Sequence, residues 1–415
     1  MQGAKPFNID RWEVYYAFKQ VKFNRGSSGI DGVSLADYET EWKRNLYKLW
    51  NRMSSGSYMP KPVKLVEIPK SNGGSRPLGI PTVEDRIAQM VVVRLIEPSI
   101  DMVFHDDSYG YRPHRSAHDA IGKVRERCWK YDWVLDMDIS KFFDTIDHEL
   151  LMKAVRLHVS EKWILLYIER WLKVPYQTID GQTIERTSGV PQGSVIGPIL
   201  ANLFLHYSFD KWMQRNHPEI PFARYADDTI CHCRSLREAE KLWVELTKRF
   251  KDCKLQLNEE KTKIVYCKES KRMMDYPNVT FDFLGFTFRP RKTMNRKNHT
   301  KFTGFLPAVS QKSMKRIRDT MRSWNLKSQL QISLDLIAEK VNPILRGWLN
   351  YYGKYSVSVI KRVIDDFNYM LARWAKAKFK RFRTKTLYEV YKWLGSVARR
   401  NSMFHHWQLG VFPKS

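Results

Sequence analysis

Apolar residues recur along this chain at two periods, and the switches between them sketch its elements. Trp12, Tyr15, Tyr16 and Phe18 predict an amphipathic opening helix, and the Gly, Ser and Asp of residues 24–32 (NRGSSGIDG) predict the loop after it. Val63–Pro69 reads as a strand and residues 71–75 (SNGGS) as its turn, flanked by Lys70 and Arg76. Residues 133–139 form a candidate buried strand, followed by a helix opening near Asp147, whose acidic side chain suits a helix N-terminus. Residues 222–233 (FARYADDTICHC) give two runs around an Asp227-Asp228 turn, the signature of a hairpin. Ser235 and Glu238 then form a capping box, and Leu236, Ala239, Leu242, Trp243, Leu246 and Phe250 keep to one helical face. Leu255, Leu257, Ile264 and Val265 return to strand, so the order is that of a split βαβ sheet.

Beyond Arg289 the period is helical. Met314, Ile317, Met321 and Trp324 share a face, with Lys315, Arg316, Arg318 and Arg322 around the rest. A second helix is expected to open at Asn342-Pro343, with Asn as cap and Pro at the first position. A third carries Ile360, Val363, Ile364, Phe367, Leu371 and Trp374 and ends in a basic run. With no repeat, low-complexity tract or long linker, the parts are expected to pack as one body.

A length of 415 residues suggests about two or three structural units. The 43% hydrophobic content, without an apolar run of membrane-spanning length, excludes global disorder and an integral membrane protein. Five cysteines are too few for a disulfide framework, and the N-terminus lacks a secretion signal, so a reducing cytoplasm is expected. The charge changes the picture most. Residues 289–415 hold 28 basic and 6 acidic residues, a net +22, which leaves +5 for residues 1–288. Basic residues interleaved with Trp324, Trp348, Tyr351, Tyr352, Trp374 and Trp393 suit a phosphate backbone and stacked bases better than a membrane surface.

Asp138 ends one predicted strand and Asp227 and Asp228 sit between two others, so one sheet could gather three carboxylates. Such acids must protonate or share divalent cations, and paired ions of that kind serve phosphoryl transfer. An isolated Asp-Asp pair is an ordinary turn; the company it keeps decides the matter. Cys231, His232, Cys233, Cys253 and Cys267 fit no common zinc spacing, and His405-His406 lacks paired CxxC motifs.

Tyr225-Ala226-Asp227-Asp228, residues 136–148 (DMDISKFFDTIDH) and residues 189–206 (GVPQGSVIGPILANLFLH) resemble reverse transcriptase motifs, close to the group II intron branch. The resemblance extends through residues 108–121 (SYGYRPHRSAHDAI), 255–263 (LQLNEEKTK), 283–288 (FLGFTF) and 346–352 (RGWLNYY), the last similar to the maturase thumb. One departure is Ser194 and Gly197, where relatives often carry Gly and Ser.

The resemblance implies an α+β right-hand polymerase with fingers and a split βαβ palm, followed by an α-helical thumb and a small basic C-terminal region. The segments expected are 1–60 (extension with a template-covering loop), 61–132 (fingers), 133–300 (palm), 301–365 (thumb and maturase domain) and 366–415 (DNA-binding-like region). It makes Asp138, Asp227 and Asp228 the catalytic acids. The metal ligands are those three and the Ile139 carbonyl, holding two Mg2+ ions with Mn2+ able to substitute. Lys70, Arg76, Phe143, Gln192 and Ala226 are implied to bind the dNTP, with Phe143 as the gate against a ribose 2′-hydroxyl. Asn24, Arg25, Gly26, Gly29, Arg316, Arg346, Trp348, Tyr351 and Tyr352 are implied to touch nucleic acid, and Lys261 and Lys263 the leaving pyrophosphate. Implied partners are an RNA template with a DNA or RNA primer, dNTPs, group II intron RNA and target DNA. The chain resembles a short form that lacks the HNH endonuclease domain. Three readings stay open: a polymerase that is also a maturase, a splicing maturase without physiological synthesis, and a domesticated relative in host repair or defence.

Overall fold

The computed structural model describes residues 5–69, 74–294 and 299–413, and divides into two compact units. The first is Met1–Ala120 with Val134–Ile264, the second Ile121–Trp133 with Val265–Ser415. The chain passes between units inside continuous elements (the helix Ala117–Cys128 and the strands Trp133–Met137 and Lys263–Tyr266), so no Gly- or Pro-rich linker marks the crossings.

In the first unit the helix Arg11–Asn24 is capped by Asp10, whose carboxylate accepts from the Trp12 N–H at 2.9 Å. It buries Val14, Ala17, Phe18 and Val21 and packs on the helix Val83–Asp101. One sheet includes strands β1 (Val63–Pro69) and β2 (Ser75–Ile80), antiparallel from Lys64↔Ile80 to Pro69↔Ser75. The other named strands of this unit are β3 (Trp133–Met137), whose first residue belongs to the second unit, β4 (Tyr176–Gln177), β5 (Thr183–Ile184), β6 (Phe222–Tyr225), β7 (Asp228–Cys233) and β8 (Lys263–Tyr266), whose last two residues also belong to the second unit.

The central sheet has the order β6-β7-β3-β8, and the helix Leu236–Asp252 joins β7 to β8 as the sequence predicts. Ser235 caps that helix by accepting from the Glu238 N–H at 3.1 Å. Leu255 and Leu257 depart from expectation. Leu255 N–H closes the helix end by donating to the Phe250 carbonyl at 2.8 Å, and Leu257 makes only a single bridge to Ile139.

The second unit has a three-stranded sheet of β9 (Phe281–Phe283), β10 (Phe286–Met294) and β11 (Lys301–Val309) in the order β11-β10-β9. Phe281 stacks on Phe288 with ring centroids 4.7 Å apart, and Phe305 completes this aromatic core. Helices Gln311–Ser323, Leu334–Tyr352, Val357–Lys378 and Leu387–Arg400 follow. The expected helix start at Asn342-Pro343 is corrected: Ser333 is the cap and Pro343 lies inside the helix. Buried Ile337, Ala338, Val341 and Leu345 run on one face through the proline, and burial of that face outweighs its lost hydrogen bond. Asn342 instead ties down the C-terminal segment, donating to the Met403 carbonyl at 2.9 Å and accepting from the His405 N–H at 2.8 Å. Among the described residues no helix is long and apolar enough to cross a membrane.

Candidate active site

The β6–β7 connection is the tightest point of the central sheet. Tyr225 pairs with Asp228, so the turn residues are Ala226 and Asp227, and Asp228 is the first residue of β7. Ala226 has φ +56°, a left-handed conformation that costs an L-residue with a Cβ on the order of 1 kcal/mol. Asp227 is half-buried; desolvation raises its pKa, its own backbone N–H opposes that, the Asp138 charge adds to it, and Arg76 and Arg224 oppose it. Asp228 is exposed.

Asp138 lies just past β3, where the chain is held by residues 256–262. Its carbonyl accepts from the Asn258 N–H at 2.8 Å, its N–H donates to Thr262 Oγ1 at 3.3 Å, and Ser140 N–H donates to the Gln256 carbonyl at 2.8 Å. Lys261 Nζ sits 3.1 Å from Asp138 Oδ2, and Lys263 Nζ 3.8 Å from Asp136 Oδ2. Both lysines therefore face carboxylates.

Among the described residues no three His, Cys, Asp or Glu side chains converge as a ready metal site. Asp227 feels the Asp138 charge, and Asp228 is exposed at the start of β7. The donor set nonetheless fits a hard divalent cation. It is all oxygen, the two carboxylates repel, and a cation, Lys261, already stands against one of them.

Around this pair, Arg76 donates from Nε to Gln192 Oε1, and Gln192 donates from Nε2 to Asp144 Oδ1 at 3.3 Å. The Gln192 carbonyl accepts from the Gly79 N–H at 2.7 Å, tying that loop to β2. Phe142 is buried while Phe143 is half-buried, and the Phe143 carbonyl accepts from the Val190 N–H at 2.7 Å. Gly189 is required beside it, since a Cβ would lie 2.7 Å from the Phe143 and Asp144 carbonyl oxygens. Lys70 lies outside the described residues.

The candidate nucleic-acid residues divide by burial. Asn24 and Arg25 are exposed at the end of the opening helix. Gly26 is exposed and Gly29 buried, and neither has room for a side chain: a Cβ on Gly26 would meet the Arg86 guanidinium at 2.4 Å, and one on Gly29 the Thr82 backbone at 2.6 Å. Arg86 staples this loop, donating to the Arg25 carbonyl at 3.2 Å and the Ser27 carbonyl at 2.7 Å. In the second unit Arg346 is exposed, and Trp348 stacks on Trp324 at 5.9 Å. Tyr351 donates to the Leu284 carbonyl at 2.8 Å; Tyr352 is buried and its hydroxyl accepts from Arg316 at 3.3 Å. Tyr352 thus packs as a core ring, because Phe286 and Gly285 occupy the space beside it. All five cysteines are buried and free, and burial pushes the thiols of Cys231 and Cys233 up.

Sequence reasoning missed five residues here. Arg224 on β6 is fully buried and donates to Asp210 from Nε at 2.8 Å and Nη2 at 2.6 Å, and from Nη1 to Asn202 Oδ1 at 2.9 Å and the Ala226 carbonyl at 3.0 Å. Burial alone would raise the Asp210 pKa, but Arg224 above all holds it below the ordinary carboxylate value. Asn202 Nδ2 donates to the Gly110 carbonyl at 2.7 Å, and Gly110 lies so close to the turn that a Cβ would be 2.3 Å from the Ala226 nitrogen. Tyr111, itself at φ +56° and half-exposed, is thereby carried to the acids; burial and the Asp227 charge raise its pKa. The available signal was a charge inside each of two apolar runs, FARY and ILANLFLHYSFDKW.

The profile of the family "Reverse transcriptase (RNA-dependent DNA polymerase)" matches residues 68–288, and that of "Group II intron, maturase-specific domain" matches residues 314–392. The chain is 34% identical to Protein YkfC of Escherichia coli (strain K12), over 57% of this chain and 71% of that protein. It is 27% identical to the group II intron-encoded protein LtrA of Lactococcus lactis subsp. cremoris, over 83% of this chain and 69% of the relative. Among solved structures it is similar to telomerase from Candida albicans in complex with a TWJ fragment of telomeric RNA, with a TM-score of 0.47 and 13% identity over 91% of this chain and 68% of that one.

Proposed function

The chain belongs to the reverse transcriptase (RNA-dependent DNA polymerase) family and carries the maturase-specific domain of group II introns, and from that premise we propose how its residues divide the work. It is an RNA-directed DNA polymerase of the group II intron type, a nucleotidyltransferase with an α+β fold. Asp138, Asp227 and the Ile139 carbonyl hold two divalent ions, Mg2+ with Mn2+ able to substitute, and Asp228 stands beside them at the primer end. When bound, those ions supply the charge that steadies the attacking and leaving oxygens of phosphoryl transfer.

The observation that carries this assignment is the half-buried Asp227 carboxyl, held in a turn with a left-handed Ala226 and within the field of Asp138. Arg76, with Lys70, grips the triphosphate as a guanidinium suits phosphate oxygens. Gln192 and Ala226 line the nucleotide site, and Phe143 blocks a ribose 2′-hydroxyl. Lys261 moves from Asp138 to the leaving pyrophosphate, and Lys263 supports it. Residues 1–60 form the extension over the template, 61–132 the fingers, 133–300 the palm, 301–365 the thumb and 366–415 a DNA-binding region. Asn24, Arg25, Arg316, Arg346 and Trp348 meet an RNA template, a DNA or RNA primer, intron RNA and target DNA, in a bacterial cytosol.

Primer extension by purified protein on an annealed RNA template with Mg2+, comparing dNTPs with rNTPs, tests the assignment. Asp138→Ala and Asp227→Ala are expected to lose synthesis by about 10³-fold or more while keeping hybrid affinity within about twofold. Extension at wild-type rate by either variant overturns the metal-ligand assignment. Splicing of the flanking intron RNA at low Mg2+, with and without protein, tests the maturase role, and no stimulation counts against it.

A further inference from the structure

The turn that carries Asp227 does not hold its shape alone. Its first residue has a Cβ and a left-handed backbone, and the next residue is a carboxylate in the field of another. Both features oppose the observed geometry, so something must over-determine it. The one guanidinium described at the Ala226 carbonyl is that of Arg224, at 3.0 Å, and it is fully buried. Asp210, equally buried, fixes the plane of that guanidinium through two hydrogen bonds of 2.8 and 2.6 Å. It sits on the single π-helical turn His206–Asp210, an irregularity that sets its position on the helix.

The fourth hydrogen bond, to Asn202 at 2.9 Å, extends the device outward. Asn202 lies on the helix Gly197–Leu205, which follows the loop of Gln192, and it grips the Gly110 carbonyl at 2.7 Å. Main-chain bonds close the ring: Arg224 N–H donates to the Asp107 carbonyl at 2.9 Å and Tyr109 N–H to the Arg224 carbonyl at 2.8 Å. Three strips of chain, the Asp227 turn, the Gln192 helix and the Tyr111 loop, therefore meet at one guanidinium. The ion pair by itself would add little, because a buried ion pair rarely stabilises more than an apolar replacement of similar volume; what two apolar side chains could not supply is the pair of hydrogen bonds to Asn202 and the Ala226 carbonyl.

We propose that Arg224, oriented by Asp210 and linked by Asn202 to Gly110, is a positioning residue that sets the Asp227 carboxylate for ion binding and catalysis. It touches neither substrate nor ion. It acts through the Ala226 carbonyl, one residue before Asp227. The inference rests on the reading of Asp227 and Asp138 as ion ligands, and the test separates the two.

The test uses the full chain bound to an RNA–DNA hybrid, with three readouts: melting temperature, Mn2+ affinity by electron paramagnetic resonance, and kcat and KM for dNTP. In Asp210→Leu/Arg224→Met the pair is replaced by apolar side chains of similar size. The expected result is a folded variant whose melting temperature falls by up to about 10 °C, since the Asn202 Oδ1 and the Ala226 carbonyl lose a buried donor. Mn2+ affinity falls about 10-fold and kcat about 100-fold, with KM changed less than about threefold. A folded double variant with wild-type kcat and Mn2+ affinity overturns the proposal.

Should that variant not fold, Arg224→Lys keeps the ion pair but lacks the donors to reach Asn202 and Ala226 as well. It is expected to lose about 10-fold in kcat at unchanged hybrid affinity. Wild-type kcat in this variant, or a loss that tracks melting temperature and hybrid affinity together, also overturns the proposal. Failure of the underlying reading looks different: Asp138→Ala then binds Mn2+ and extends primers like wild type.

Discussion

Two antiparallel hairpins, β6–β7 in the first unit and β10–β11 in the second, solve opposite problems. The long one pairs nine residues per strand, from Phe286↔Val309 to Met294↔Lys301, and buries Phe281, Phe286, Phe288 and Phe305. Its register follows from apolar alternation, and its hold on the unit comes from rings packed on rings. The short one pairs four residues per strand and is fixed by a buried guanidinium, a carboxylate and an amide. Aromatic packing tolerates small displacements, whereas four hydrogen bonds on one guanidinium define a position. The difference teaches where this chain spends polar burial: at the turn that must place a carboxylate.

Three experiments can break or sharpen that contrast. The largest effect is expected from Phe288→Ala, which removes a fully buried, stacked ring from the second hairpin and should cost about 3–5 kcal/mol of stability. Below the new melting transition, synthesis per folded molecule should stay at the wild-type value. A large loss of turnover without loss of stability, by calorimetry beside primer extension, would show that this hairpin also positions chemistry.

Next is pH. Asp85, buried at the start of the helix Val83–Asp101 beside Tyr58 and Thr82, is raised to about 6 by burial. A carboxylate raised in the folded state contributes stability while protonated. That contribution is lost as pH rises from its unfolded value toward 6, by roughly 2–3 kcal/mol. Asp210 runs the other way. Its pKa is depressed, so its contribution is present above the ordinary carboxylate range and lost as pH falls below it. Melting curves from pH 4 to 7 should therefore flatten in Asp85→Asn, and an unchanged slope would remove Asp85 as its source.

The smallest effect is expected from Phe143→Ala. Half-buried beside buried Phe142, its ring contributes little to the core, so melting should barely move. Selectivity for dNTP over rNTP should drop about 10-fold, the scale set by a change in pocket shape. Unchanged selectivity would return Phe143 to the core with its neighbour.

Much of this was legible along the chain. The strand at Val63–Pro69, the hairpin around Asp227, the helix cap at Ser235 and the helix after Asp147 all stand where local pattern put them, because each is decided by neighbours within a turn or a strand; the reciprocal half of the capping box does not form, since Glu238 accepts from the Arg234 N–H instead. The errors share a cause too. Pro343 reads as a helix start and Asn342 as its cap, yet the apolar stripe from Ile337 to Leu345 carries the helix through both. Gly29 reads as part of a surface loop but is buried against Thr82, and exposed Gly26 is confined by Arg86, each contact more than fifty residues away.

The sequence by itself determined the family motifs, the alternation of strand and helix, the acids Asp138 and Asp227, and the concentration of positive charge after Arg289, since each is written in residue type and spacing. Tertiary structure alone decided that the chain forms two units joined through continuous elements, that Tyr352 is core, and that Arg224, Asp210, Asn202 and Gly110 meet at the Asp227 turn. A charge in an apolar run signals that a partner exists; which partner it finds depends on long-range packing that no local pattern encodes.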